Sequence, residues 1–174
     1  MSSNFCAAKR RMIVVAAIAL LGASVVPRPV GAAVDYVAVI QNFVRVGVDN
    51  AASDFVGLRG ARLADGPNAA TNYKVTKFPL GGCKVSKGTS ADLTCYLPVY
   101  RMSKKALLDL LAPVIQDALP AGFSESTDAL DLIANNMLWK RTSDHISVGV
   151  YCLYFDKTHT TLDCVISVSH NAAI

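Results

Sequence analysis

The chain reads as an α+β fold, an antiparallel sheet with two or three helices on one face, and three observations predict it. Two stretches of equal length, CKVSKGTSADLTC from Cys83 and CLYFDKTHTTLDC from Cys152, begin and end in cysteine. Around each of them apolar residues alternate with polar ones, the period of a half-buried strand. Elsewhere apolar residues recur at three-and-four spacing, the period of an amphipathic helix. Helices gathered on one face of an antiparallel sheet bury both kinds of apolar surface in two layers.

Residues 1–33 read as a leader rather than as part of that fold. A polar start ends in Lys9, Arg10 and Arg11, an apolar run follows at 12–26, and small residues surround 30–33. That is the pattern of a cleaved secretory signal peptide. The run is shorter than the roughly 20 residues a membrane-spanning helix needs, and Pro27 ends it, so no stable membrane anchor is expected after cleavage. Periplasm or extracellular space is the expected destination. Lys9, Arg10, Arg11 and Arg28 account for the whole net charge of +4. What remains, 34–174, is neutral and lacks the basic balance of nucleic-acid binders. It is long enough to build one disulfide-stapled domain.

Between 34 and 58, Tyr36, Ile40, Phe43, Val44, Val48, Ala51, Phe55 and Leu58 recur on one helical face. The spacing predicts an amphipathic helix stopped near Gly60. GARLADGPNAATN follows as a loop rich in turn residues. YKVTKF, GGCKVS and ADLTCYLPV predict three strands, with Pro98 placing the last at an edge or a strand end. Ser103 is the expected N-cap of a second helix that carries Leu107, Leu108, Leu111, Val114, Ile115 and Leu119 on one face. Pro113 lacks a backbone donor and is expected to kink or split it; Gly122 is expected to stop it. STDALDLIANN predicts a short third helix capped by Ser126 or Thr127. MLWKRTS, HISVGVYCLYF and TTLDCVISVS predict three more strands, with His170 in the tail beyond them. This order reads as a tandem αβββ repeat with halves 34–100 and 101–174.

Four cysteines remain beyond the leader, an even number in an oxidising destination. If Lys87 faces Ala91 across Gly88-Thr89-Ser90, Cys83 falls opposite Cys95. If Asp156 faces Thr160 across Lys157-Thr158-His159, Cys152 falls opposite Cys164. Three-residue hairpin loops are common, and opposed cysteines in an antiparallel pair meet disulfide distances. Two hairpin disulfides, Cys83–Cys95 and Cys152–Cys164, are therefore expected. The spacing is too wide for structural zinc, and no Cys-x-x-Cys pair suggests redox chemistry. Leu93, Cys95 and Leu97 share a face, as do Ile146, Val148, Val150, Cys152 and Tyr154, so the bridges belong to the packed side. In architecture this arrangement resembles the secreted β-lactamase inhibitor proteins, which also pair two helix-plus-sheet units with a disulfide in each; the resemblance implies a fold alone.

Catalytic signatures are sparse. There is no Gly-x-Ser-x-Gly elbow and no Ser-x-x-Lys pair. His145, His159 and His170 stand near Asp144, Asp156 and Asp163, residue types suited to acid–base or metal chemistry. No His-x-x-x-His spacing sets two of them on one helix face, and neither a metal nor a cofactor is expected. Lys84 points away from the packed side, as part of a basic series with Lys74, Lys77, Lys87, Arg101, Lys104 and Lys105. Tyr151, Leu153 and Phe155 have the parity opposite to Cys152 and Tyr154. With helices on only one side of the sheet they form an exposed apolar patch, the mark of a partner site. The expected function is that of an exported, non-enzymatic binding or accessory protein. Inhibitor-like, it engages a protein or another envelope component through Tyr151, Leu153, Phe155 and Lys84. A small secreted hydrolase with a His/Asp site, and a carrier of an apolar ligand, are the alternatives.

Overall fold

A computed structural model describes residues 35–65, 70–97, 103–154 and 162–171. In chain order it contains α1 (Tyr36–Ala51), a 3-10 turn (Val56–Leu58), β1 (Thr71–Lys74), β2 (Gly81–Lys87), β3 (Ser90–Leu97), α2 (Lys104–Ala118), β4 (Ser124–Glu125), α3 (Ala129–Ala134), β5 (Met137–Arg141), β6 (Ile146–Tyr154) and β7 (Leu162–Asn171). The strands form one antiparallel sheet in the order β1-β2-β3-β7-β6-β5-β4, so the fold is α+β. The final strands of the two meanders meet at its centre. There Cys95 lies opposite Ile166 and Leu97 opposite Cys164, with the pair Tyr96–Val165 between them. The second half departs from a plain αβββ order by β4 and α3.

Asp35 caps α1 by accepting from Ala38 N at 3.2 Å, and the helix buries Ile40, Phe43, Val44, Gly47, Val48 and Ala51. It stops at Ala51, short of the expected Leu58, because Asp54 and Phe55 adopt left-handed backbone with φ of 52° and 61°. That turn still delivers Phe55 to the core, where it is fully buried. The first strand is also displaced from its expected place. Phe78 leaves the sheet to pack edge-on against Phe43 at 5.1 Å, and pairing is confined to Thr71–Lys74.

Ser103 caps α2 as expected, accepting from Ala106 N at 3.2 Å. Pro113 lies inside the helix without splitting it. Both Pro113 and Asp109, whose carbonyl loses its donor, are on the exposed side, where water can serve that carbonyl. The helix ends at Ala118 rather than at Gly122, since Leu119 is already extended ahead of Pro120. At α3 the cap is Asp128, which accepts from Leu130 N at 2.8 Å. Ser126, one of the two expected caps, hydrogen-bonds the Asp131 carboxylate instead.

Side-chain parity divides the sheet into two faces. Val85, Leu93, Val148, Val150, Ile166 and Val168 point to the first and are fully buried. α1 crosses that face at Gly47, where an added Cβ would stand 2.7 Å from Val168 Cγ2. α2 packs beside α1, and its first amide, Lys104 N, donates to Tyr154 Oη at 3.3 Å. Both expected disulfides, Cys83–Cys95 and Cys152–Cys164, are formed and buried on this face. α3 lies at the margin of the other face: a Cβ on Gly149 would meet Asn135 Oδ1 at 2.9 Å. There Leu138 is buried and Asp131 pairs with Lys140.

Candidate binding surface

Apart from α3, no described helix packs on the second face, and at its β1 edge the segment 61–65 buries Asn72, whose Nδ2 donates to the Ala64 carbonyl at 3.1 Å. Tyr96, Val165 and Tyr151 form one cross-strand row over β3, β7 and β6, with Leu153 opposite Asp163 in the next. These five residues line a shallow depression of about 160 Å³. Tyr96 is 48% exposed and Leu153 46%, large apolar area for a strand surface. Thr94, Ser167, Asp92, Ser169 and Ser147 occupy the same face further along and bound the patch with polar groups. The Tyr96 ring lies against Gly82, whose φ of 50° places it in the left-handed region and whose absent Cβ would fall 2.8 Å from the ring.

All the residues of this patch are chain neighbours of bridged cysteines. Gly82 precedes Cys83, Tyr96 follows Cys95, Tyr151 and Leu153 flank Cys152, and Asp163 and Val165 flank Cys164. Because successive strand residues point to opposite faces, each buried bridge fixes the spacing of the outward residues beside it. Tyr151 and Leu153, expected from sequence, are thus brought together with three residues that were not. Tyr96, Asp163 and Val165 are legible by the same parity, since each stands beside a bridged cysteine and so faces outward. Phe155 lies outside the described residues.

Lys84, the fourth expected residue, is on the same face but separated from Tyr151 by β3 and β7, roughly 14 Å at ordinary strand spacing. It stands opposite Lys74 in the β1–β2 register. Among the described residues neither lysine forms an ion pair. Both line an open cleft of about 460 Å³, with Val75, Phe78 and Leu80 among its apolar walls.

His170 is part of β7, not of a tail, and pairs with Ile146 and Ala91. Its Nδ1 is 2.9 Å from Asp54 Oδ1, while Lys87 Nζ is 2.7 Å from Asp54 Oδ2. The hydrogen bond from Lys87, then that from His170, hold the Asp54 carboxyl below the usual carboxylate range against a smaller effect of burial. This cluster ties the turn after α1 to β2 and β7. Among the described residues no hydroxyl hydrogen-bonds His170. His145 sits in the turn between β5 and β6 with φ of 55°, its carbonyl accepting from Asn171 N at 3.1 Å. His159 lies outside the described residues. Among the described residues, no three His, Cys, Asp or Glu side chains gather as metal ligands, and no helix is long and apolar enough to cross a membrane.

No protein-family profile, curated protein or solved structure matches this chain. Two formed disulfides fit an oxidising environment, outside the reducing cytosol.

Proposed function

We propose that the chain is an exported, non-enzymatic binding protein that docks on another protein of the periplasm or extracellular space through the outer face of its sheet. One observation carries this reading: Tyr96, Tyr151, Leu153 and Val165 form a contiguous apolar patch on strands pinned from behind by two disulfides. Tyrosine supplies large contact area with few rotors to immobilise, and it is enriched where partners meet. Pinned strands reduce the ordering cost of association. The depression among these side chains, at about 160 Å³, is below the 300–1,000 Å³ typical of small-ligand sites, which favours a macromolecular contact. The leader at 1–33 supports export, and an inhibitor-like or accessory role follows from a rigid surface presented to a partner.

A photocrosslinking residue at position 153 tests the reading directly. It is expected to capture a discrete protein partner from the envelope or secreted fraction, whereas the same group at position 56, exposed beyond the end of α1, is not. Equal capture at both positions, or none at 153, counts against it. The hydrolase alternative rests on the His170–Asp54 pair and predicts labelling by hydrolase-directed probes that His170→Gln abolishes.

A further inference from the structure

We propose that the cleft beside β1 and β2 binds a monomeric amphiphilic anion, an oxyanion head on an aliphatic tail, at a site separate from the docking patch around Tyr151. Lys74 and Lys84 are direct cross-strand partners with exposed side chains. Such partners bring their Cβ atoms within about 5 Å, and like charges placed so are destabilising. No acidic side chain pairs with either lysine among the described residues. An oxyanion between the two ammonium groups relieves that repulsion and accepts charge-assisted hydrogen bonds from both.

The walls below the lysines define the rest of the ligand. Val75 and Phe78 are each only 5% exposed, Leu80 is partly buried, and Leu63 at the rim is 40% exposed. The volume, about 460 Å³, lies within the range of ligand sites, unlike the depression at Tyr151. A bare inorganic anion would leave the apolar walls wet, and a neutral lipid would leave two charges unanswered. A membrane surface is disfavoured by the outer face itself, which carries Asp92 and Asp163 along with its lysines.

Calorimetric titration of the purified protein with octanoate, decanoate and dodecanoate, each below its micelle concentration, tests the site. One equivalent is expected to bind, with affinity rising about fourfold for each buried methylene. Acetate, inorganic phosphate and decyl glucoside are expected to bind at least tenfold more weakly than decanoate. Lys74→Ala and Lys84→Ala, both at exposed positions, should each weaken decanoate binding about tenfold without lowering the urea midpoint, since each also relieves the repulsion between the pair. Leu80→Ser should flatten the chain-length series. Tyr151→Ser should change nothing, so failure of the docking reading and failure of this one are distinguishable. The proposal is overturned if acetate binds as well as decanoate, which leaves an adventitious ion only. Equal binding of decyl glucoside, full affinity in the double lysine variant, or binding only to vesicles of the same head group also overturns it.

Discussion

Alternate residues of single strands in this protein live in two different solvents. Along β7, Cys164, Ile166 and Val168 are fully buried against α1 and its neighbours, while Asp163, Val165, Ser167 and Ser169 between them remain partly open. The first set contributes burial energy and the second contributes a surface. On the docking reading, stability and recognition are thus separated by parity rather than by region. A substitution should move one readout and leave the other, according to which side of the sheet it meets. Only the two bridges serve both faces, because they are buried themselves and fix the outward residues beside them.

The largest expected effect is on the covered face alone. Phe43 is fully buried and packs edge-on against Phe78, so Phe43→Ala is expected to cost about 3–5 kcal/mol. Urea unfolding measures this, and partner binding below the transition should be unchanged. Removing the second bridge by Cys152→Ala with Cys164→Ala tests where the separation breaks down. Loss of a bridge closing a loop of this length costs about 3 kcal/mol in the chain-entropy model. Unlike Phe43→Ala, it should also weaken partner binding by the folded protein, since Tyr151, Leu153 and Val165 lose their fixed spacing. Unchanged binding in that variant would mean the hydrogen-bonded ladder alone positions the patch.

Much of this division was legible in the sequence, because a strand's period of two is written in its residues. The alternation through Ile146, Val148, Val150 and Cys152 reveals both the covered face and, by subtraction, Tyr151 and Leu153 on the other. Equal cysteine spacing gave both bridges for the same reason. Illegible were features decided by tertiary contact. Phe55 reads as part of the apolar stripe, but nothing local marks the left-handed turn that carries it into the core, or Phe78 as a residue drawn from its strand to Phe43. The opposition of Lys74 and Lys84 needs the β1–β2 register, which that displacement sets. His170 joins Asp54 across most of the chain length, a pairing that no spacing rule reaches.

A smaller effect is expected where α1 touches the sheet. Gly47→Ala places a methyl 2.7 Å from Val168 Cγ2, and overpacking of this kind costs about 1–3 kcal/mol. The gain in helix propensity from Gly to Ala, about 1 kcal/mol, offsets part of it. A net loss of up to about 2 kcal/mol by urea unfolding is the expected outcome; a net gain would show α1 free to ride up from β7.

Acid should act through Asp54. Its carboxyl is held below the ordinary value by Lys87 and then His170, so its stabilisation is full above the ordinary carboxylate pKa and is lost as pH falls through the lowered one. Asp54→Asn keeps a residue tolerant of the left-handed backbone at φ 52° while removing the charge. The wild type should exceed this variant by about 1 kcal/mol or less at pH 7, since the side chain is partly exposed to screening solvent. The difference should shrink as pH falls below about 4. A gap that stays constant with pH would assign Asp54 a geometric role only.

The smallest expected change in stability tests the comparison most sharply. Leu153 is 46% exposed on β6, one residue beyond the buried Cys152, so Leu153→Ser removes little buried area from the fold. Surface substitutions away from caps, cores and bridges stay within about 0.5 kcal/mol, and serine suits the polar surroundings of Ser167 and Ser147 on the same face. On the docking reading, however, the same change removes an apolar anchor beside Tyr151 and should lower partner affinity about tenfold or more. The matching change at Leu93, fully buried on the other face of β3, should do the reverse. It destabilises by cavity and unpaired hydroxyl together while the folded fraction still binds. If Leu153→Ser instead destabilises as much as Leu93→Ser, the outer face belongs to the core of this protein, and the division by parity fails there.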